Sequence, residues 1–464
     1  MVLERVGWLA KLGPRFQARA SSVRILADPP EYYDCLLKQI EGSKRRILLS
    51  SLYLGSGPLE TKLVSCLEQA LKRNGGRSDL RVTMLLDASR GQRGPVSSLH
   101  MLRPLLPAFK QSSSFQLYLF HSPGLRGLLR WLLPERWNEV VSVLHMKVAV
   151  FDDAVLLTGA NLSQSYFTNR QDRYMLIQDC PDLADFYEDV IQSVGQNSFR
   201  VYANTQEPEF ILDSSHMQTH PFKGSRTAFC AGLRTDLHSV LEKYMMSSKK
   251  LDHSTDTLLY PTLQMEPAGI VSEGEAFRRL FGSEPVERLD LASGYFNLTQ
   301  HYAQLLLDRV SGHQLQLNVL AAAPKANGFW GGGGVSGAVP SLYVQVAKEF
   351  YAAGKAGSLR LLEWWRPDWT FHGKGLWLTY PDERLPSVTV VGSSNFGYRS
   401  VHRDLESQLI LLTKDAKLQA QLAQERDRLF GEDTEEVDER TFQRADHCVP
   451  FWVRLVSRLF RHFF

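Results

Sequence analysis

Cysteine is scarce in this chain and scattered. Cys35, Cys66, Cys180, Cys230 and Cys448 are odd in number and far apart. No CxxC and no Cys/His ligand spacing occurs, which argues against a disulfide framework or a structural zinc site and suits a reducing compartment. Neither a metal nor a cofactor is expected. Long apolar runs are missing as well, since nothing approaches the ~18–20 residues of a membrane span. An excess of one charge is also absent. The net +3 is too small to drive nucleic-acid binding by bulk electrostatics, so no nucleic-acid partner is expected. The remaining composition, 44% hydrophobic and 22% charged, suits a globular chain of 464 residues with two domains or one large duplication.

Against that background one pattern occurs twice. His145, Lys147 and Asp152 form H-x-K-x-x-x-x-D, followed by Asn161 and Asp172. His372 and Lys374 repeat the H-x-K, followed by Asn395 and Glu406. In both copies the acidic residue stands eleven after the asparagine. A lone H-x-K-x-x-x-x-D arises by chance in about one chain of this size in thirty. Two in register point to a duplicated active-site half.

The surrounding elements repeat too. Residues 30–43 read as an amphipathic helix, then Arg46–Leu54 as a strand, Leu59–Lys72 as a helix and Leu80–Leu86 as a buried strand. A helix near Val96–Phe109 and a strand at Phe115–Phe120 follow. The second half runs through Glu273–Phe281 (helix), Arg288–Phe296 and Gln314–Ala322 (strands), Val339–Ala353 (helix) and Leu359–Glu363 (strand). Matching points lie 227–242 positions apart. The expected class is α/β, with mixed or mostly parallel sheets flanked by helices. The segmentation reads as a basic N-terminal segment, 1–26 (a transit remnant or membrane contact), a first half 27–200, a linker 201–265 and a second half 266–430. Residues 431–464 complete it, as a solvated acidic spacer and an amphipathic C-terminal helix. A solvent-facing helix is expected at Asp415–Leu429.

A histidine and a lysine two apart on a strand share a face. The imidazole can serve as nucleophile or general acid while the ammonium holds a phosphate oxygen. Asn161 and Asn395 can donate to further oxygens, and Asp172 or Glu406 can orient an imidazole through its other nitrogen. Two copies brought together put a histidine on each side of one phosphorus.

These residues resemble the phospholipase D superfamily, whose signature is the paired H-x-K-x-x-x-x-D motif. Within it the chain is most similar to the eukaryotic mitochondrial phosphatidylglycerophosphate synthases. SLYLGSGPLE (51–60), TGANLSQSYFTNRQDRY (158–174), SGYFNLTQ (293–300), KANGFWGGGGVSGAVP (325–340) and GSSNFGYRSVHRDLE (392–406) carry that likeness. The resemblance implies a duplicated phospholipase D-like fold with the active site between the halves. It implies transfer of a phosphatidyl group from CDP-diacylglycerol to glycerol 3-phosphate through a phosphatidyl-histidine. His145 would attack and His372 would act as acid, then base, giving the precursor of phosphatidylglycerol and cardiolipin. It also implies a mitochondrial location, peripheral on the inner membrane. The second motif departs from the superfamily pattern, with Thr379 where the aspartate should stand. A phosphodiesterase that passes the group to water and a non-catalytic membrane-binding scaffold are the alternatives.

Weaker signals remain. Ser50, Ser51, Leu52, Tyr53, Leu54, Gly55, Ser56 and Gly57 form a strand running into a glycine turn, either a phosphate or nucleotide loop or a tight turn. The ending of a P-loop is absent. Gly328, Gly331–Gly334 and Gly337 read as a flap at the site. Lys325 and Arg399, or Arg170, Arg173 and Arg403, are candidates for the acceptor phosphate, each with an ion-pair alternative. Trp364, Trp365 and Trp369 line a pocket or pack as core. Residues 451–464 and 124–137 are amphipathic, basic and aromatic, as expected of segments lying on an anionic membrane surface, or docked on the protein's own core.

Overall fold

Each half is built on a sheet whose centre is three parallel strands and whose flank is antiparallel. The computed structural model describes residues 2–73, 79–109, 114–127, 141–204, 206, 208–247, 250–252, 255–333, 337–431 and 433–460. Two short strands, β1 (Phe16–Ala18) and β2 (Val23–Leu26), come first. The first half continues with β3 (Arg46–Ser51), β4 (Arg81–Asp87), β5 (Phe115–Phe120), β6 (Val148–Phe151), β7 (Ala154–Thr158), β8 (Arg170–Gln171), β9 (Tyr174–Ile177), β10 (Phe199–Ala203) and β11 (Phe210–Asp213). The second has β12 (Thr257–Met265), β13 (Ile270–Val271), β14 (Arg288–Ser293), β15 (Gln316–Ala322), β16 (Leu359–Trp364), β17 (Thr370–Phe371), β18 (Lys374–Thr379), β19 (Val388–Gly392), β20 (Glu406–Thr413) and β21 (Thr434–Glu436).

Among the described residues the first sheet runs β11-β10-β5-β4-β3-β6-β7-β9-β2, and the second β1-β12-β20-β19-β18-β14-β15-β16-β21 with β13 beside β12. The run β5-β4-β3-β6-β7-β9 and the run β16-β15-β14-β18-β19-β20 are the repeat seen in the sequence. In each, the first three strands are parallel and the next pairings antiparallel. The sheets are therefore mixed, and "mostly parallel" describes only their helix-connected centres. The reason is local. β6 and β7 pair through Phe151↔Ala154, leaving only Asp152 and Asp153 in the turn, and so short a link makes an antiparallel hairpin.

Helices follow the strands as the periodicity predicts. Helix Pro29–Gly42 is capped by Asp28, which accepts the Glu31 N–H, and prolines occupy its first turn. Helix Pro58–Lys72 faces it with Leu63, Val64, Leu67 and Ala70 inward. The helix expected over Val96–Phe109 is shorter, Ser98–Leu102 followed by a 3-10 turn. One apolar core lies inside each half, and a third joins them. That third core combines Val150, Leu157, Ile177 and Val190 with Leu259, Leu409, Leu411 and Trp377.

Three segments and the setting of one helix differ from expectation. The N-terminal segment is part of the body: Val6 and Leu9 are buried in the second core, β1 pairs with β12, and β2 pairs with β9 of the other sheet. It straps the halves together because its apolar residues find sheet edges to cover. The supposed linker holds helix Arg226–Met246, packed in the shared core, and β12, paired along its length with β20. The acidic spacer contributes β21, an edge strand on β16 whose Glu436 pairs with Arg360. Helix Ala416–Leu429 buries Leu418, Leu422, Glu425 and Leu429, so one face is internal.

Candidate active site

β6 and β18 are the equivalent strands of the two sheets, and each begins at an H-x-K. The histidines are held by backbone bonds that cross between halves. His145 N–H donates to Leu405 O (2.8 Å) and His372 N–H to Gln171 O (2.7 Å), while β8 and β17 pair in parallel. The acidic partners are exchanged in the same way. His145 Nδ1 lies 2.8 Å from the Glu406 carboxylate, and His372 Nδ1 lies 2.6 Å from Asp172 Oδ2. Each imidazole is thus oriented by the carboxylate of the opposite half, and neither half alone holds a complete set. A carboxylate on Nδ1 favours the proton there and leaves Nε2 with its lone pair. At His372, Lys374 Nζ also stands 2.7 Å from Nδ1 and 3.3 Å from Nε2.

Lys147 and Lys374 are buried beside their histidines and donate to their carbonyls, at 2.7 and 2.8 Å. Lys374 Nζ is also 3.6 Å from Asp172. Burial pushes the Lys147 ammonium down to about 7 and Lys374 down to about 8, against the pull of Glu406 and Asp172. Burial likewise lowers both histidines, aided by the adjacent lysine cations, His372 to well below its ordinary range. Burial works to raise Glu406, but the contact with His145 and the Ser393 hydroxyl holds it down to about 2. Asp172 is raised by burial, which Lys374 only partly offsets. The two dyads therefore differ. The His145 side chain is 12% exposed and rests on an ionised carboxylate, whereas His372 is 4% exposed.

Both histidines line one cleft of about 480 Å³, with Asn161 and Asn395 on its wall. The amide oxygens of both asparagines are buried without a hydrogen-bond partner, acceptor capacity that a hydroxyl of a bound substrate can fill. Arg170 and Arg399 line the same cleft, Arg399 paired with Asp404 at 3.0 Å. A second cavity of about 430 Å³, walled by Leu298, Tyr302, Tyr398 and Val401, adjoins at Asn297 and contains neither histidine.

Several expected site residues lie elsewhere. Asp152 does not reach the cleft. It stands beyond the far end of β6, five residues or about 16 Å from Lys147 at strand rise, with φ 50 in the hairpin turn. There its carboxylate accepts the N–H groups of Lys44, Arg45 and Arg46. Aspartate tolerates that left-handed conformation. β18 and β19 are joined by the longer connection 380–387, so Thr379 has no tight turn to close, and the departure in the second motif carries no chemical loss.

The phosphate loop is corrected in part. Leu52 and Tyr53 line the cleft, but Ser50 and Ser51 turn their hydroxyls onto backbone carbonyls. Leu54, Gly55, exposed Ser56 and Gly57 lead around the buried Glu60, whose carboxylate would meet any Cβ on either glycine. A carboxylate under the loop opposes a phosphate. Lys325 pairs with Asp446 (3.2 Å) and is not among the cleft residues, nor is Arg403, whose guanidinium lies over Tyr398. Arg173 is buried against Glu425. Trp364 packs on Phe371 as core, Trp365 is exposed, and Trp369 lies under Arg366. Of the glycine segment, Gly328 and neighbouring Phe329 line the cleft, and Gly334 falls outside the described residues. So do residues 128–140, which hold most of the second amphipathic stretch.

Sequence reasoning missed Arg90, Arg93, Tyr166, Tyr295, Asn297 and Tyr343, all on the cleft wall. One signal was present: Tyr53 and Tyr295 each follow a serine by two at the strand end, 242 positions apart, at the offset of the repeat.

No protein-family model matches the chain. Mitochondrial CDP-diacylglycerol–glycerol-3-phosphate 3-phosphatidyltransferases of Bos taurus and Homo sapiens are 40% and 39% identical, over 100% of this chain and 86% of each relative. The enzyme of that name from Saccharomyces cerevisiae is 32% identical over 89% of this chain and 83% of its own. Among solved structures, phosphatidylserine synthase of Haemophilus influenzae Rd KW20 superposes with a TM-score of 0.75 over 100% of this chain and 99% of that one. At 18% identity it speaks for the fold alone.

Proposed function

The chain belongs to the CDP-diacylglycerol–glycerol-3-phosphate 3-phosphatidyltransferase family, and from that premise we propose that it acts through a phosphatidyl-histidine on His145. The observation that carries this reading is the convergence of two H-x-K pairs on one cleft, each histidine oriented across the halves and His145 the more open. His145 Nε2 attacks the phosphorus bearing diacylglycerol, and CMP departs. His372 then takes the proton of the glycerol 3-phosphate primary hydroxyl as that oxygen displaces His145. Lys147 and Lys374 neutralise the phosphoryl oxygens, Asn161 and Asn395 donate to them from Nδ2, and Arg170 and Arg399 suit the second phosphate. The reaction is assigned to the mitochondrion, on the inner-membrane surface, supplying the precursor of phosphatidylglycerol and cardiolipin.

The test is incubation with CDP-diacylglycerol in EDTA, with and without glycerol 3-phosphate, following CMP and lipid. Phosphatidylglycerophosphate formed only with the acceptor is expected. Phosphatidic acid formed regardless of acceptor would instead identify a hydrolase.

The pH profile follows from the site. Attack needs neutral His145, whose fraction rises with pH and is complete early because its pKa lies below the ordinary 6.5. Charge neutralisation needs the lysine cations, which are lost as pH rises through about 7 and about 8. The profile of kcat/KM, which reports the free enzyme, is expected to be bell-shaped and to fall across that alkaline window. A profile flat through it would contradict the lysine roles.

Membrane contact is proposed through helix Phe451–Phe460. Val453 anchors it against Leu342, Val344 and Val449, while Phe451, Trp452 and Leu455 are exposed at 79, 51 and 70%. No helix among the described residues is long and apolar enough to cross a membrane. Burying three such side chains contributes about 5 kcal/mol, or roughly three orders of magnitude in affinity. The triple variant Phe451→Ser/Trp452→Ser/Leu455→Ser is expected to stop co-flotating with anionic vesicles. Unchanged flotation would end that assignment.

A further inference from the structure

The halves repeat, but their histidines are not treated alike: Lys374 Nζ stands beside both ring nitrogens of His372 while Lys147 donates to the His145 carbonyl, and Tyr166 adds a second difference. Its hydroxyl is 3.3 Å from His372 Nε2 and 3.2 Å from Asn161 Nδ2. Its ring meets the His372 imidazole edge-on at 5.1 Å and lies under the Arg170 guanidinium at 4.7 Å. Asp172 Oδ2 lies 2.6 Å from His372 Nδ1, and Lys374 Nζ stands 2.7 Å from Nδ1 and 3.3 Å from Nε2; with the proton on Nδ1 toward the Asp172 carboxylate, Nε2 is an acceptor. Asn161 Nδ2 can only donate. The phenol oxygen therefore accepts from Asn161 and its O–H donates to His372 Nε2. Burial keeps the phenol protonated, well above its ordinary range, so that hydrogen is always present.

The second half has no counterpart. Ser400 stands five residues after Asn395, as Tyr166 does after Asn161, but its short side chain turns back to accept the Asn395 N–H. Among the described residues His145 is hydrogen-bonded at Nδ1 and its backbone, and nothing occupies its Nε2.

We infer that Tyr166 is a positioning residue that makes the two histidines unequal: by donating to His372 Nε2 while CDP-diacylglycerol is bound it occupies the lone pair that would attack phosphorus, reserving the nucleophilic role for His145, and it yields that lone pair to the acceptor hydroxyl only in the second step. The inference rests on the phosphatidyl-histidine reading above. Removing the hydroxyl leaves His372 with a carboxylate on Nδ1, as His145 has, and with Lys374 as the remaining neighbour of its ring. Its Nε2 then forms the N–P bond, the P–O bond to CMP breaks, and the electron pair leaves on the CMP oxygen. The second pKa of a phosphomonoester is about 6, so CMP departs at neutral pH without needing a proton. The return step does need a base for the acceptor hydroxyl. Where His145 is absent none remains, and the adduct accumulates.

The experiment compares the full-length wild type, His145→Ala, Tyr166→Phe and the double variant, each with CDP-diacylglycerol in micelles. Burst CMP is measured, and peptides are mapped under alkaline conditions, where a phosphoramidate survives. The wild type is expected to carry the group on His145 and His145→Ala to carry none. The double variant should release a burst of about one CMP per enzyme and carry the group on His372. Tyr166→Phe keeps the ring and its packing; alone, with His145 intact, it should divide the group between both histidine peptides. A wild type modified on His145, with no His372 adduct in either Tyr166 variant, overturns the role of Tyr166 and leaves the covalent reading intact. A wild type modified on His372, or on neither histidine, overturns both.

Discussion

Replacing His145 with alanine is expected to abolish phosphatidyl transfer, by on the order of 10⁵–10⁶-fold, the scale seen when a nucleophile or its partner base is removed. The size follows from what is lost. Nε2 forms the bond to phosphorus, and water cannot replace it within a site built to hold an imidazole. His372→Ala should fall less, by roughly 10²–10⁴-fold, as for general acid–base catalysis. It should also fail at a different point: CMP still leaves, the phosphatidyl group stays on His145, and glycerol 3-phosphate no longer removes it. The pair is read by separating burst CMP from steady-state product. A burst in His372→Ala and none in His145→Ala is the expected pattern, and the reverse would exchange the roles. Glu406→Gln belongs to the same series. It keeps the contact at His145 Nδ1 but removes the charge that supports an imidazolium, so it should lower the rate without eliminating the adduct.

Much of this site could be read from spacing, because the chemistry sits at strand starts. A strand's period of two places His145 with Lys147 and His372 with Lys374 whatever the rest of the fold does. The strand-helix repeats of both halves were legible for the same reason. Contacts between distant positions were not. His145 and Glu406 are 261 apart, and no local periodicity reveals that the carboxylates are exchanged. Asp152 misled because a hairpin turn and a catalytic carboxylate ask for the same residue type. β12 was hidden by the polar stretch before it and by Pro261 within it, and it became a strand only because β20 offers an edge along its length. The N-terminal segment carries Val6, Leu9 and Phe16 too sparsely to signal burial, yet all three are buried once two sheets are present to receive them. Tyr53, Tyr166, Tyr295 and Tyr343 lie around the cleft, where aromatic residues have no spacing rule to obey.

The largest effect on stability should come from Glu425→Ala. Glu425 takes Arg173 in a two-pronged contact, Nε to Oε1 at 2.9 Å and Nη2 to Oε2 at 2.7 Å, with both side chains almost wholly buried. The guanidinium also donates to Val390 O and the Thr389 hydroxyl, and stacks 3.8 Å over Trp377. Arg173 belongs to the first half and all these partners to the second, so the pair bolts the halves together one residue from Asp172. Gly375 makes room for it, since a Cβ there would stand 2.1 Å from Arg173 Nη1. Removing the carboxylate leaves a buried cation without a counter-charge, a loss of about 3–5 kcal/mol. Urea unfolding should reveal that loss as a lower midpoint. Activity should fall alongside it, because Asp172 loses its fixed neighbour. Arg173→Met/Glu425→Leu separates packing from charge. With both ions replaced by apolar side chains of similar size, no cation is stranded, and stability should return to within about 1 kcal/mol of the wild type. If the double variant is no more stable than Glu425→Ala, the pair holds the halves through its specific hydrogen bonds, and not merely because one buried charge requires the other.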